Sequence, residues 1–231
     1  MRNILLTGAN GGLGVAIAHA FLEESKENVL WLGVRKNRQH AEQLAGNLLD
    51  LDVTNPAAWR NALKAIGRVD VLVNNAGTHE DALLATMPVE SWERVLAANL
   101  DAVFHGCQAV LPPMIAQRAG RIINIASLSA LLAPAGQTNY AAAKAGVVAL
   151  TQSLAKEVAR LGITVNAICP GYVETDALAS LPEEQRAAAL AKIPMRRFGK
   201  PAEIAAAVRF LACPEASYIT GSVLKIDGGI L

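Results

Sequence analysis

The segment "NILLTGANGGLGVAIAHAFLEES" (residues 3–25) decides the fold of this chain. Its first part, "NILLTG", is a short apolar run that is typical of a buried strand. Its last part, "GVAIAHAFLEES", has the length and spacing of an amphipathic helix. A glycine-rich turn joins the two parts, so the segment predicts a strand, a tight turn and a helix at the start of an α/β fold.

The same alternation of apolar runs and helical patterns continues to the end of the chain. Six further strands are predicted in "NVLWLGV" (28–34), "GNLLDLDV" (46–53), "VDVLVNNAG" (69–77), "RIINIAS" (121–127), "ITVNAICPG" (163–171) and "SVLKIDGG" (222–229). Because these runs are rich in Val, Ile and Leu, they suit a sheet that is covered on both faces. We expect one α/β domain over residues 1–231, with a Rossmann-type, doubly wound, seven-stranded parallel sheet and helices on both faces.

The composition excludes several classes of function. Hydrophobic residues make up 52% of the 231 residues and charged residues 18%, which is typical of a well-packed globule. The net charge of +1 gives no reason to expect a nucleic-acid partner. No apolar run approaches the ~18 residues of a membrane span, and no signal-peptide pattern opens the chain. We therefore expect a cytoplasmic protein without a membrane partner.

The three cysteines, Cys107, Cys169 and Cys213, are far apart and lie in apolar surroundings. None of them belongs to a CxxC motif or a His/Cys cluster, so no metal site is expected. We interpret all three as buried, reduced thiols.

The glycine-rich turn has the spacing GxxxGxG, formed by Gly8, Gly12 and Gly14. Glycines let the backbone approach a pyrophosphate closely, and the following helix offers free N–H groups and the positive end of its dipole. The alternative is a tight strand–helix turn with no ligand. The position of the turn, between the first strand and the first helix, favours dinucleotide binding.

Polar residues follow two more strands at the edge where such a fold binds its ligand. Asp52 ends the third predicted strand and could accept a hydrogen bond from an adenine amino group. "NNAG" (residues 74–77) ends the fourth strand; Gly77 permits close backbone approach, and the Asn side chains can pin the turn or a neighbouring strand. For each of these residues, ordinary turn chemistry is the alternative.

Tyr140 and Lys144 are four residues apart in a predicted helix, so they project from the same face. A free phenol has a pKa near ~10, which is too high for easy proton exchange at neutral pH. A neighbouring cation favours the phenolate and lowers the pKa, so the tuned phenol can exchange a proton with a carbonyl or alcohol oxygen. The pair alone is a weak signal, since a YxxxK spacing also arises by chance.

Two further polar residues strengthen this interpretation. Ser127 ends the fifth predicted strand, at the same edge as the glycine turn, and could bind the same substrate oxygen as Tyr140. Asn99 lies within a predicted helix, where Asn is a poor helix former and can open the helix locally and hold a water.

Together these motifs resemble those of the short-chain dehydrogenase/reductase family, over essentially the whole chain. TGxxxGxG is present from Thr7 to Gly14, NNAG at 74–77 and "PG" at Pro170 and Gly171, with Thr175 in "YVETD". Within the family, the chain is most similar to the β-ketoacyl-acyl-carrier-protein reductases. The segments that carry this likeness are "GRIINIAS", "GQTNYAAAKAG", "GITVNAICPGYVETD" and "ASYITGSVLKIDGG".

The resemblance implies a catalytic tetrad and a set of cofactor contacts. The tetrad is Asn99, Ser127, Tyr140 and Lys144. Besides Tyr140 and Lys144, the implied cofactor contacts are Gly8, Asn10, Gly12, Leu13, Gly14, Arg35, Asp52, Val53, Asn75, Ala76, Gly77, Pro170, Gly171, Val173 and Thr175.

Cofactor choice can be read at the end of the second strand. No Asp or Glu lies between Leu30 and His40, where an acid would select NADH through the ribose hydroxyls. Arg35, Lys36 and Arg38 stand there instead, and an Arg can meet a 2′-phosphate. We therefore expect NADPH to be the preferred cofactor, with Arg35 the favoured contact and NADH possible. The alternative is that these three residues are solvated loop charges. One departure from many NADPH-using relatives is Gly11, where they carry a basic residue.

The resemblance also implies a substrate, a lid and an assembly. The expected reaction is reduction of a 3-oxoacyl thioester, carried by acyl-carrier protein, in fatty-acid or polyketide type biosynthesis. Residues 176–200 would form a lid, the chain would form a homotetramer, and Arg118, Arg121 and Arg160 could meet the acidic carrier. The alternatives are an NAD(P)-dependent dehydrogenase of another secondary alcohol or ketone, such as a sugar or polyol, and a non-catalytic dinucleotide-binding regulator.

Overall fold

The computed structural model describes the backbone of residues 1–231 and every side chain except that of Ala177. Seven strands form one sheet, in which all neighbouring strands are parallel. The strands are β1 (Asn3–Thr7), β2 (Val29–Val34), β3 (Asn47–Asp50), β4 (Val71–Asn74), β5 (Gly120–Ile125), β6 (Ile163–Pro170) and β7 (Val223–Ile226). Their order across the sheet is β3-β2-β1-β4-β5-β6-β7, which confirms the predicted doubly wound fold.

Nine α-helices connect the strands of the described chain. They are α1 (Gly12–Glu24), α2 (Pro56–Ile66), α3 (Val89–Leu96), α4 (Ala102–Gln117), α5 (Ser129–Leu132), α6 (Thr138–Val158), α7 (Asp176–Ala179), α8 (Glu183–Ala191) and α9 (Pro201–Ala212). Among the described residues, no helix is both long and apolar enough to cross a membrane.

Strand β1 shows why the sheet needs helices on both faces. Its side chains alternate between two apolar clusters: Leu6 packs with Phe21 of α1 and Val208 of α9, while Leu5 packs with Trp59 of α2 on the other face. All five of these side chains are almost fully buried. Each such side chain contributes roughly 1.5–3 kcal/mol through removal from water, so both faces stabilise the fold.

The chain reverses its winding direction at β1. Leu5 pairs with Trp31 of β2 on one side and with Leu72 of β4 on the other, and later strands add outward from each side. The connections after β1 and β4 therefore leave in opposite directions and open a crevice beyond their carboxyl ends. This crevice is where the predicted site residues converge.

Helices α3 and α4 are joined by a π-helical segment, Ala97–Asp101, which contains Asn99. The side-chain Nδ2 of Asn99 donates to the carbonyl oxygen of Val95, four residues earlier, at 2.8 Å. This competition with the backbone explains the wider turn, because an asparagine amide within a helix can replace a normal hydrogen-bond partner. The prediction that Asn99 opens the helix locally is confirmed.

Residues 174–199 form a loop between β6 and α9, and its two ends are tied to each other. A bridge between Val173 and Gly199 ties the two ends, with backbone hydrogen bonds of 2.9 Å from Glu174 to Gly199 and from Gly199 to Tyr172. Within the loop, Leu178, Ala189, Ile193 and Phe198 form a separate small apolar cluster. Ile230 also packs against this cluster, and the backbone N–H of Met195 donates to the carbonyl oxygen of Gly228 at 3.1 Å, so the loop is joined to the C-terminal segment.

The cysteines differ in part from expectation. Cys107 and Cys169 are buried, but Cys213 is only partly buried. Its Sγ lies at the end of α9 and donates a 3.1 Å hydrogen bond to Glu24 Oε1. The prediction of three buried thiols is therefore wrong for Cys213, because a polar partner near the surface replaces apolar surroundings.

Candidate active site

A cleft of about 720 Å³ lies beyond the carboxyl ends of the central strands. Every residue that the sequence predicted for the tetrad or for cofactor contact lines this one cleft. These residues come from distant parts of the chain, and the parallel sheet brings them together because the carboxyl ends of its strands share an edge.

The glycine turn is tightly packed on one side and open on the other. Gly8 has φ +65°, and a Cβ atom there would lie 2.8 Å from the Cα of Ala76. A Cβ on Gly14 would lie 2.3 Å from the carbonyl oxygen of Gly8. By contrast, a Cβ on Gly12 would meet only the side chain of Thr175, at 3.8 Å. The turn thus leaves room for a ligand where Gly12 faces the cleft.

The N-terminus of α1 fits the phosphate groups of a dinucleotide. Gly11 precedes the helix, and none of the described side chains caps its first N–H groups. Free N–H groups and the helix dipole attract an anion, and the cleft leads directly to them. The residues present therefore fit a bound dinucleotide.

Two asparagines of the NNAG segment hold the turn in place. Asn75 Nδ2 donates to the carbonyl oxygens of Thr7 at 3.0 Å and Gly8 at 3.1 Å. Asn74 Nδ2 donates to Asn124 Oδ1 of the neighbouring strand β5 at 2.9 Å. Both side chains are thus used within the protein, as expected, and the backbone of the segment is left to face the cleft.

Asn10 fixes the segment that follows β2. Its Oδ1 atom accepts hydrogen bonds from the backbone N–H of His40, at 2.8 Å, and of Ala41, at 3.1 Å. The loop that carries Arg35 and Lys36, both of which line the cleft, is therefore anchored to the glycine turn.

Arg35 and Asp52 form an ion pair of 3.8 Å at the wall of the cleft. Burial raises the pKa of Asp52, but hydrogen bonds from Thr54 and the charge of Arg35 outweigh it, so the pKa lies below its usual value. The Asp52 carboxyl is therefore ionised at neutral pH. The Asp52 carboxylate accepts from Thr54 and the guanidinium keeps most of its donors free.

Tyr140 and Ser127 both line the cleft where it meets α6, and the Ser127 hydroxyl lies close enough to the phenol to influence its pKa. Ser127 Oγ also accepts a 3.1 Å hydrogen bond from the backbone N–H of Ser129, which orients the hydroxyl. Burial raises the pKa of Tyr140; the neighbouring Ser127 hydroxyl opposes this shift, and the Asp81 carboxylate adds to it.

Lys144 lies on the same face of α6, with its Nζ 5.6 Å from the centroid of the Tyr140 ring. Nζ donates a 2.9 Å hydrogen bond to the carbonyl oxygen of Ile125. Burial lowers the pKa of Lys144 to about 8, although the nearby Cys169 opposes the shift. The expectation that the Tyr140 pKa lies below its ordinary value is wrong for this structure, because burial disfavours the phenolate and raises the net pKa.

Asn99 faces the same space as Lys144. Its Nδ2 donates to the carbonyl oxygen of Thr78 at 2.6 Å, while its buried Oδ1 has no partner among the described residues. A Cβ on Gly77 would lie 2.5 Å from Oδ1 and 3.6 Å from Lys144 Nζ. An acceptor and a donor thus border one small polar space, which suits the water that Asn99 was expected to hold.

Several cleft residues were missed from the sequence: Gly33, Val34, Asn37, Leu51, Thr54, Thr78, His79, Ala98, Ile125 and Ala126. Most of them are direct neighbours of predicted residues, so they could have been predicted from their position at the carboxyl ends of the strands. His79 differs, because its ring stands edge-on to Tyr140, with centroids 6.2 Å apart and an interplanar angle of 67°. Its place two residues after the NNAG segment was the available clue.

The arginines expected to meet a carrier lie away from the cleft. Arg121 is at the amino end of β5, while Ser127 follows the carboxyl end, a distance of about 20 Å at the rise of a strand. Arg121 Nη1 donates to the carbonyl oxygen of Gly120 at 3.0 Å, and Arg118 Nη2 donates to that of Arg160 at 3.1 Å. Within one chain, these three arginines do not border the site.

The parallel sheet, the glycine-turn cleft and the Ser–Tyr–Lys group beside it define an oxidoreductase that acts on a carbonyl or alcohol with a nicotinamide dinucleotide. Comparison with known proteins agrees with this class. The profile of a family described as enoyl-(acyl carrier protein) reductase matches residues 8–231. The chain belongs to the short-chain dehydrogenase/reductase family.

Curated relatives match nearly the whole chain. A 3-oxoacyl-[acyl-carrier-protein] reductase FabG of Vibrio cholerae serotype O1 is 46% identical over 236 residues, which cover 98% of this chain and 96% of the relative. The proteins of the same name from Thermotoga maritima and Escherichia coli K12 are 44% and 43% identical, with the same two coverages.

Proposed function

We propose that this protein is an NADPH-dependent reductase that converts a 3-oxoacyl thioester, bound to acyl-carrier protein, into the 3-hydroxyacyl thioester. The observation that carries the proposal is that Ser127, Tyr140 and Lys144 lie together in one wall of a cleft that also contains the glycine turn. The shared name of the relatives supports the substrate class, and such a reaction would serve fatty-acid or polyketide type biosynthesis.

The residues of the site divide the work of carbonyl reduction. The reduced nicotinamide, when bound, supplies the hydride. Tyr140 gives its phenolic proton to the ketone oxygen as negative charge develops there, and Ser127 donates a hydrogen bond to the same oxygen. Because burial raises the pKa of Tyr140, the phenol is protonated before reaction, as a general acid must be.

Lys144 and Asn99 would act after the proton has left Tyr140. The Lys144 ammonium, 5.6 Å from the centroid of the phenol ring, stabilises the phenolate through charge attraction. The polar space between Nζ and Asn99 Oδ1 would hold a water that returns a proton to the site. Neither group needs to touch the substrate for this role.

Arg35 and Lys36 support the preference for NADPH. Both line the cleft beyond β2, where the adenosine ribose lies in a fold of this class. Their two positive charges outnumber the single carboxylate of Asp52, so the local charge favours a 2′-phosphate. NADH would bind without that attraction.

The segment 176–200 would close over the substrate. The bridge between Val173 and Gly199 ties its two ends together, and Val173 lines the cleft, so the segment starts from the cleft wall. Val173 and Thr175 line the cleft directly, so closing of the segment would narrow the space above the glycine turn.

A homotetramer is part of the proposal. Phe104 and Ile115 of α4 are 46% and 42% exposed, and Ala142, Ala145 and Ala149 form an exposed stripe on α6. Apolar side chains beside a smooth alanine stripe suit close helix packing between subunits. Assembly would also decide whether Arg121 of one chain approaches the cleft of another.

The proposed activity is tested by NADPH oxidation with purified protein. Acetoacetyl and longer 3-oxoacyl thioesters are compared with a trans-2-enoyl thioester, a sugar ketone and a steroid ketone. We expect turnover of the 3-oxoacyl thioesters at a kcat/KM at least tenfold above the others. Faster reduction of the enoyl thioester would favour the reaction in the family description, and faster reduction of a sugar ketone would favour the polyol alternative. No turnover of any substrate would indicate the regulator.

A further inference from the structure

The imidazole of His79 faces the cleft beside the proposed acid. The ring is exposed and stands edge-on to the Tyr140 ring, with centroids 6.2 Å apart. Among the described residues, no hydrogen bond reaches either ring nitrogen. A polar group that is placed in a binding cleft without a protein partner is available to a ligand.

Two buried amides fix the backbone on both sides of His79. Asn99 Nδ2 donates to the carbonyl oxygen of Thr78 at 2.6 Å, and Asn139 Nδ2 donates to that of Glu80 at 3.0 Å. Both asparagines are 0% exposed and come from different helical segments. The backbone of His79, which lies between these two carbonyl groups, is therefore fixed on both sides.

The rest of the loop is tied to the turn that precedes α6. The backbone N–H of Ala82 donates to the carbonyl oxygen of Gly136 at 2.9 Å, and Gln137 Nε2 donates to Asp81 Oδ2 at 2.9 Å. Since Tyr140 follows on the same helix, the loop and the helix keep the imidazole and the phenol in a fixed relation. Groups held in this way bind without a large ordering cost.

The proposed substrate has a second oxygen that needs a partner. In a 3-oxoacyl thioester, one methylene separates the ketone from the thioester carbonyl, and Ser127 with Tyr140 would bind only the ketone oxygen. An imidazole has at least one N–H in either protonation state, so it can donate to a carbonyl oxygen. If the thioester carbonyl oxygen loses its hydrogen bond to water and gains no protein donor, substrate binding is weakened.

We propose that His79 is a specificity-determining residue that donates a hydrogen bond to the thioester carbonyl oxygen. This inference rests on the proposed function and deepens it. His79 then selects 1,3-dicarbonyl substrates over simple ketones, because only the former offer an acceptor beside the reacting group.

The test compares two substrates that differ at one group. Acetoacetyl N-acetylcysteamine thioester is paired with the matching thioether ketone, in which a methylene replaces the thioester carbonyl. We expect His79→Ala to lose about tenfold in kcat/KM on the thioester and less than about twofold on the thioether. His79→Gln keeps an N–H donor and should recover part of the loss. His19→Ala, an exposed histidine of α1 outside the cleft, is the matched control.

Each outcome of this comparison either supports or contradicts the proposed role of His79. An equal loss on both substrates, or no loss on the thioester, overturns the role of His79 while leaving the proposed function intact. A wild-type enzyme that does not reduce the thioester overturns the proposed function and this inference with it. If the thioether ketone turns over too slowly to follow, its inhibition constant against the thioester replaces kcat/KM, and His79→Ala should leave that constant unchanged.

Discussion

The Nζ atom of Lys144 donates a 2.9 Å hydrogen bond to the carbonyl oxygen of Ile125, the last residue of β5. Ser127 follows Ile125 by two residues, and Tyr140 precedes Lys144 by four. This one bond therefore ties the strand that carries the serine to the helix that carries the phenol. The three groups keep a fixed geometry because a buried ammonium needs that carbonyl as its partner.

Replacement of Tyr140 by Phe should lower kcat by about 100- to 10,000-fold, because the phenol is the proton donor and a ring without it cannot serve. Binding of NADPH should survive, since Phe fills the same space. Steady-state kinetics and a fluorescence titration of NADPH measure the two effects. Tyr218→Phe is the control, because Tyr218 is fully exposed. A kcat within about threefold of wild type would remove Tyr140 from the proposed mechanism.

The lowered pKa of Lys144 predicts how stability depends on pH. Burial brings this pKa down from the ordinary 10.5 to about 8. Between these values the unfolded chain keeps the proton and the folded chain releases it, so the unfolded state binds more protons and stability rises with pH. From about pH 7 to about pH 9.5, Lys144 should therefore add about 2 kcal/mol to the free energy of unfolding.

Urea denaturation of wild type and Lys144→Met at those two pH values isolates this contribution. Met has a similar length and does not titrate, while every other ionisable group is common to both proteins. As the pH rises, the free energy of unfolding of wild type should increase relative to that of Lys144→Met. A difference that is independent of pH would mean that Lys144 titrates near its ordinary value in the folded chain.

The fold was predictable from residues 3–25 outward because local patterns decide it. Uninterrupted apolar runs require a sheet that is buried on both faces, and the residues after each strand must then meet at one edge. For this reason the glycine turn, Asp52, the NNAG segment and Ser127 could be assigned to one cleft before the structure was known. The structure adds their partners, such as the bonds from Asn75 to Thr7 and Gly8.

The electrostatics of the site could not be predicted in the same way. The spacing of Tyr140 and Lys144 gives a shared face but not the depth of burial, which reverses the expected shift of the Tyr140 pKa. The surroundings of Cys213 also depend on Glu24, far away in the sequence. A pKa or a contact that depends on distant residues can be predicted only from the folded structure. A strand or helix that depends on periodicity can be predicted from the sequence.

Arg35→Ala should reduce kcat/KM for NADPH by about tenfold or more and change that for NADH by less than about threefold, because only the 2′-phosphate needs the guanidinium. Kinetics with both cofactors measure the ratio. Arg38→Ala is a matched control three residues away: Arg38 pairs with Asp50 and does not line the cleft. An unchanged cofactor ratio in Arg35→Ala would contradict the assigned contact.

Phe104→Asp should dissociate the proposed tetramer, because a charge would replace an exposed aromatic ring on α4 at the expected contact between subunits. Light scattering at micromolar concentration should give four times the chain mass for wild type and a smaller mass for the variant. Circular dichroism should be unchanged, which shows that the chain stays folded. A wild-type monomer would rule out the assembly.

Gly11→Arg should strengthen the preference for NADPH over NADH by about tenfold. Gly11 has φ −74° and ψ 156°, which any residue adopts, and a Cβ there would meet nothing closer than the carbonyl oxygen of Gly8 at 3.7 Å. An arginine can therefore enter without strain, line the same cleft as Arg35 and Lys36 and add a further cation for the 2′-phosphate. Gly11→Gln gives a long side chain without charge and should leave the preference nearly unchanged. Gly8→Ala tests the opposite case: its φ of +65° and a Cβ 2.8 Å from the Cα of Ala76 should destabilise the turn and weaken both cofactors alike. Equal effects of Gly11→Arg on NADPH and NADH would show that the 2′-phosphate does not lie between Arg35 and the glycine turn.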